Sequence, residues 1–500
     1  MIGLQWRTLA VTALVAIAGG CSDGNGPDGD GGATAIAAVD GGSQVGTIGV
    51  ALPLPLRVRA TDAADNPVAG VAVTWSVVSG GGSIPVTSQT GADGIAAATF
   101  TLGAATGTQS AQAAVAGLDG SPVLFTAEAN AVTNPRFELT VVGGGNNVLD
   151  RFTSDLWVHG NYAYTGTWGT RGLNPGNVLN VWQLDANGAP TLVRAVTLAG
   201  VGTVSDVEVS VDGQLLLATA ESGPNDGLYI YSLADPAQPV LLDSELNPTG
   251  LHTGTFATIG GKRYVFAATN PSSPVQPTSP ALAIYDVSNP SAIAVVGHVA
   301  VPADYGIHDT FVRDGIAFVF AWNTGVILYD VGNGIKGGTP ASPQEISRLV
   351  TAAGGVAGGA QVHNGWWFHN PATGEKRYLF IGQEGSGNVG DRTSAGDIHV
   401  VDVSNLNAPV EVATFRMPGA GVHNFWMDEA EGILYAAYYN AGVVALDVTG
   451  TLSGDLTARR IASIRPAAGS TFTWGVQLHN GFLYASDMHT GLWQLGFNRF

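Results

Sequence analysis

Residues 422–448 read VHNFWMDEAEGILYAAYYNAGVVALDV, and most of the chain repeats this pattern with variations. The pair His423-Asn424 opens an alternating apolar run through Val422, Phe425 and Met427. A turn at Asp428–Gly432 follows, then an apolar strand Ile433–Tyr439, a second turn at Asn440–Gly442, and a closing strand ending Leu446-Asp447-Val448. Three short β-prone runs separated by Asn, Asp and Gly turns make a β-meander. The closing phrase recurs at 180–184 (NVWQL), 229–233 (YIYSL), 283–287 (AIYDV), 327–331 (ILYDV), 399–403 (HVVDV), 444–448 (VALDV) and 493–497 (WQLGF). Its fourth residue marks positions 183, 232, 286, 330, 402, 447 and 496, spaced by 49, 54, 44, 72, 45 and 49 residues. A four-stranded unit repeating every 40–50 residues or so is the signature of a propeller blade. The 72-residue step exceeds its neighbours by less than a full unit, and Gly354–Gly359 and Gln383–Asp397 read as loop insertions within it. The expectation is seven blades.

The phrases GLYIYSLADPAQPV (227–240), LAIYDVSNPSAIAVVG (282–297) and IHVVDVSNLNAPVEVATF (398–415) resemble the LVIVD repeat, a bacterial β-propeller repeat usually found on exported proteins. The resemblance spans roughly residues 136–500. It implies an architecture and not an activity, because that family is defined by its repeat and has no single known reaction.

Composition narrows the function classes. The chain has 39 acidic against 20 basic side chains, a formal net charge of −19, and three lysines, Lys262, Lys336 and Lys376. Such a surface repels phosphate backbones, which argues against nucleic-acid binding. Seventy glycines, 25 prolines and 12% charged residues fit β structure rich in tight turns. The single cysteine, Cys21, excludes an intrachain disulfide.

Before the repeats, Met1–Gly20 carries Arg7, the apolar stretch Leu9–Ala18 and small residues, a secretory signal too short and wrongly flanked to span a membrane. Its end, Ala18-Gly19-Gly20-Cys21, resembles the lipobox of bacterial lipoproteins. That resemblance implies lipidation of Cys21, a membrane anchor and, with Ser22 following, an outer-membrane or cell-surface address. Residues 21–32 form a flexible acidic tether. Residues 33–132 alternate apolar and polar residues with turn signals about every ten residues, the pattern of a β-sandwich. The run Asn66-Pro67-Val68 leading into Val71–Trp75, together with the Asp93-Gly94 turn, resembles bacterial Ig-like domains of the invasin and intimin type. Trp75 reads as core. Asn134-Pro135 opens the propeller domain, 133–500. Phe137–Val142 is a lone strand before the first full unit, and the last unit stops after three strands. Residues 137–142 are therefore expected to complete the last blade and close the ring, which removes exposed sheet edges.

Chemistry is expected at one mouth of the channel. His159, His252, His308, His363, His423 and His479 each fall just before or within the first strand of a unit, and Asp206 takes that place in the second. First strands line the axis of a propeller, so these seven residues are expected to form a ring. The loops between second and third strands, on the same face, carry Trp168, Glu221, Asn270, Trp322-Asn323, Glu384, Tyr439-Asn440 and Asp487-Met488-His489. Three roles compete for the histidines. They pin blade to blade through backbone hydrogen bonds. Or some of them, from His308, His363, His423 and His479, hold a transition metal. Or they join the aromatic loops around an organic, glycan or protein ligand. No catalytic residue, nucleophile elbow, phosphate loop or His-Glu-x-x-His motif is identifiable. Asp428, Glu429 and Glu431 read as a solvated turn. The reading is an exported, lipid-anchored, all-β protein, an Ig-like sandwich followed by a seven-bladed propeller, acting as a binding, adhesion or protein-interaction module. The alternative is a periplasmic or surface enzyme using a copper-like metal on the mouth histidines.

Overall fold

The apolar runs of the repeat become the middle strands of four-stranded meanders in the computed structural model. The described residues are 32–48, 51–103, 105–130, 136–186, 188–269, 281–301, 306–354, 359–385, 387–417 and 419–500. The signal segment, Cys21, nearly all of the tether, Asn134-Pro135 and Asn270 lie outside them. Among the described residues there is no α-helix, only two 3-10 turns, Thr457–Arg459 and Ala468–Ser470.

In the unit that opened the sequence reading, Phe425–Asp428, Ile433–Ala437, Val443–Asp447 and Arg460–Ile464 pair in order, each antiparallel to the next. Burial runs outward in a gradient. Every residue of Ile433–Ala437 is buried, as is every residue of Leu215–Glu221, because these strands lie between two neighbouring sheets. A strand covered on both faces reads as a continuous apolar run. The outermost strands, such as Thr191–Thr197, are mostly exposed.

The recurring aspartate ends the third strand and folds the chain back. Asp286 Oδ1 accepts the amide of Ser288 at 2.9 Å, Asp402 Oδ1 that of Ser404 at 3.0 Å, and Asp447 Oδ1 that of Thr449 at 2.9 Å. These are Asx turns, which hold the reversal without help from the ladder. Just before the marker the pairing with the fourth strand shifts register, at Ile284/Tyr285, Leu328/Tyr329, Val400/Val401 and Ala445/Leu446. A bulge at one place per unit adds twist there.

The first strands form the interior wall. Phe152–His159, Thr203–Val209, Thr253–Ile259, Asp309–Arg313, Val362–Trp367, Phe425–Asp428 and Thr473–His479 pack each against the next, and the last against the first. Phe137–Gly144 pairs antiparallel with Gly491–Arg499, the outer partner in the sheet that contains Thr473–His479.

The segment Ala35–Asn130 forms a three-stranded and a five-stranded sheet, with a short two-stranded pairing of Gly82–Ser83 and Thr101–Leu102, over a shared core that includes Val58, Val73, Trp75, Phe100 and Phe125. Trp75 is 2% exposed and its Nε1 donates to Ser88 Oγ at 2.9 Å. The two parts touch where Asn440 Nδ2 donates to Pro53 O (3.1 Å) and Arg465 to Leu52 O (3.0 Å).

Candidate functional site at the histidine-bearing mouth

His252 and His308 precede the first strand of their units, His363 is the second residue of its strand, and His423 stands two residues before Phe425. All four are buried, between 1% and 3% exposed. Because the strands converge, the imidazoles stack in chain order. Ring centroids are 4.3 Å apart for His252–His308, 3.7 Å for His308–His363 and 4.2 Å for His363–His423. Trp474 continues the series at 4.2 Å from His423, and Trp168 closes it at 5.0 Å from Trp474 and 5.5 Å from His252. Four imidazoles and two indoles thus form one circuit.

Above the circuit lies a cavity of about 450 Å³, lined by Trp168, Trp322, Tyr439, Phe472 and Trp474 together with His252, His308, His423 and Glu384. Trp322 and Tyr439 hold φ of +46° and +34°, a left-handed backbone costly for bulky residues. Each follows the second strand of its unit and bridges to the next, Trp322 to Val362 and Tyr439 to Thr473. Glu384 enters from the insertion that lengthens the 72-residue step. Its Oε2 lies 3.5 Å from His363 Nε2 and 4.0 Å from His308 Nε2, and its Oε1 accepts the hydroxyl of Tyr439.

The electrostatics follow from burial. It takes the imidazole of His363 down to about 3, and takes those of His308 and His423 well below their usual value, with neighbouring imidazoles adding to the effect. These three rings are neutral near pH 7. His252 goes the other way. Burial opposes its charge, but Glu221 Oε1 at 3.0 Å from Nδ1 outweighs that and raises it. Burial also raises Glu384, while burial and the charge of Glu384 hold Tyr439 as a protonated donor.

Several polar atoms here have no hydrogen-bond partner among the described residues: Nδ1 of His308, both nitrogens of His363, Nε2 of His423 and Nε1 of Trp322. Each such atom costs about 1–3 kcal/mol if nothing satisfies it.

One residue further along five of the first strands lies a polar layer, to which Asp206 belongs rather than to the histidine ring. Asp155, Asp206 and Asp309 share it with Asn364 and Asn424, and Glu208 lies beyond in the same chamber of about 210 Å³. Asn424 Nδ2 donates to Asp155 Oδ1 (2.9 Å), Gly254 N to Asp206 Oδ2 (2.8 Å) and Phe256 N to Glu208 Oε2 (3.1 Å). Burial raises Asp155 and Glu208 well above the usual carboxylate range, with the charge of Asp206 adding to both, and brings Asp309 to about 7. The signal was present in the sequence, where Asp or Asn follows His308, His363, His423 and His479.

Other expected members of the ring are elsewhere. His159 and His479 end the strands Phe152–His159 and Thr473–His479, five residues beyond the ring level, or about 17 Å at strand rise. They belong to the opposite mouth, and His479 Nε2 there pairs with Gly160 O at 2.8 Å. Asp206 sits in the deeper carboxylate layer. Asp487 is buried and organises a turn, accepting from Phe472 N, His489 N and Thr490 N. His489 bonds Val389 O at 2.8 Å beside the cavity and does not line it. Of the pinning role, His423 carries one bond, Nδ1 to Trp474 O at 2.8 Å, and His479 another. Glu429 is not a solvated turn residue: it accepts from Arg313, Trp366 Nε1 and the amide of His369.

Three segments, 150–170, 278–301 and 391–416, match the LVIVD repeat. With the meander topology, the match makes the repeat-bearing part of the chain a β-propeller. Among solved structures, the β-propeller domain of Cps50 (Swd1) from Myceliophteria thermophila is similar at 12% identity, over 71% of this chain and 98% of that one, with a TM-score of 0.46. Sqt1 from Chaetomium thermophilum is similar at 11% identity over 72% and 86%, TM-score 0.47. The computationally designed Ika8 protein is similar at 9% over 71% and 99%, TM-score 0.45. These likenesses concern backbone shape only. No curated protein matches the sequence.

Proposed function

We propose that this chain is an exported binding protein, lipid-anchored through Cys21, in which an Ig-like sandwich presents a closed seven-bladed propeller. Its propeller is an interaction module that takes a small organic or saccharide group, free or carried on a larger partner, in the cavity above the histidines. One observation carries this reading. Trp322 and Tyr439 are held in a strained left-handed backbone with their rings on the cavity, and the indole N–H of Trp322 is buried without an acceptor among the described residues. Strain kept at a concave, aromatic-lined site is a mark of recognition. Trp and Tyr rings stack on the flat faces of sugars and aromatic groups while their polar tips fix orientation.

The test is intrinsic tryptophan fluorescence of the full chain, titrated with a panel of oligosaccharides and small aromatic compounds. A saturable change that Trp322→Ala weakens at least tenfold is expected. No response across the panel, or a response indifferent to Trp322→Ala, overturns the reading. For the anchor, Cys21→Ser is expected to release the protein from membranes, and retention of the variant refutes lipidation.

A further inference from the structure

We propose that His308, His363 and Glu384 bind a divalent first-row transition ion, zinc or iron(II), at the floor of the cavity. One ligand atom from each of the three, two imidazole nitrogens and a carboxylate oxygen, lies within 4.8 Å of the others. Glu384 Oε2 is 3.5 Å from His363 Nε2 and 4.0 Å from His308 Nε2. An ion held tetrahedrally at about 2.0–2.2 Å sets its ligand atoms about 3.3–3.6 Å apart, a spacing the two carboxylate-to-imidazole edges already approach.

The surroundings are those of a ligand set rather than of a packed core. Neither nitrogen of His363 makes a hydrogen bond of regular geometry among the described residues, the amide side chain of the adjacent Asn364 being its nearest polar neighbour along the chain. Tyr439 donates its hydroxyl to Glu384 Oε1, which leaves Oε2 toward the imidazoles. Such a donor behind a carboxylate is how proteins orient metal ligands. His423, the next ring, donates from Nδ1 to Trp474 O at 2.8 Å, which fixes the tautomer with Nε2 bare and unpartnered. It stands outside the three-atom cluster and can be drawn in as a fourth ligand. Among the described residues, no Lys or Arg lines the cavity to compete for Glu384. Two imidazoles and one carboxylate without thiolate favour zinc or iron(II) over calcium or magnesium, which take oxygen ligands. Three protein ligands leave a coordination position open toward the cavity. The site does not depend on the organic-ligand reading, because the three residues meet whether or not the aromatic rim is occupied.

The test uses the full chain without a histidine tag, stripped with a chelator. Co2+ is added and followed by its visible absorption, and Zn2+ by calorimetry. One ion per chain with a Kd below about 1 µM is expected. Glu384→Gln and His363→Ala are each expected to weaken binding at least tenfold, and Tyr439→Phe less, by several-fold to tenfold. The absence of saturable one-to-one binding overturns the proposal, as does an affinity that both ligand variants leave unchanged. Should His363→Ala fail to fold, Glu384→Gln decides alone, provided its melting temperature matches the parent.

Discussion

The two mouths of the channel are built from opposite ends of the same strands, yet they treat buried polar groups in opposite ways. At the far mouth most polar atoms are paired, Nε2 of His369 being an exception among the described residues. Glu429 accepts from both terminal nitrogens of Arg313 (2.5 and 3.1 Å), from Trp366 Nε1 at 3.2 Å and from His369 N at 3.1 Å. Gln477 takes both the N–H (2.6 Å) and the carbonyl (3.0 Å) of Val158. At the near mouth, five ring nitrogens on four side chains have no partner among the described residues. A satisfied mouth ties neighbouring units together.

That contrast makes predictions of opposite sign at the two ends. The largest effect belongs to Glu429→Ala, which leaves the half-buried Arg313 and the Trp366 indole without their acceptor. A loss of about 2–3 kcal/mol in urea denaturation is expected, with Zn2+ and ligand affinity unchanged. A loss below about 0.5 kcal/mol would show that the far mouth is no tighter than the near one.

Next is the carboxylate layer between them. Asp309 has a folded pKa of about 7 against about 3.9 unfolded, so its contribution to stability is present below pH 4 and lost as pH rises toward 7. Asp309→Asn lacks that loss. Its stability relative to the parent is expected to grow by about 1 kcal/mol or more between pH 4 and pH 7. A difference that stays flat across that range refutes the assignment.

The smallest effect is at the near mouth. His363→Leu removes two unpartnered nitrogens at similar volume, so metal-free stability at pH 7 is expected to hold or rise by up to about 1 kcal/mol. His363 has a folded pKa of about 3, below its unfolded value near 6.5, so the parent loses stability as pH falls through that window. The variant is expected to lose less, as thermal unfolding between pH 7 and pH 4 will read. If His363→Leu instead costs 2 kcal/mol or more, the imidazole is structural and the contrast between the mouths fails.

The sequence reading placed all six histidines and Asp206 in one ring at one mouth, which the structure corrects for His159 and His479. "Just before or within" an eight-residue strand spans both mouths. His159 and His479 lie at the far end of theirs, while His252, His308 and His423 lie at the near end. Spacing to the marker does not separate His159 from His423, since each stands 24 residues before it. Glu384 was legible only as one loop residue among several. It becomes significant because the insertion after Tyr378–Gln383 folds back over the ring.

What the chain by itself determined is the repeat: apolar second and third strands closed by an Asx turn, which must stack because each is buried on both faces. Only the tertiary structure decided which side chains meet. Glu384 is 76 residues from His308 in the sequence, and its carboxylate reaches two imidazoles only because converging strands bring first-strand residues of successive units together. A pattern along one strand carries no information about that convergence.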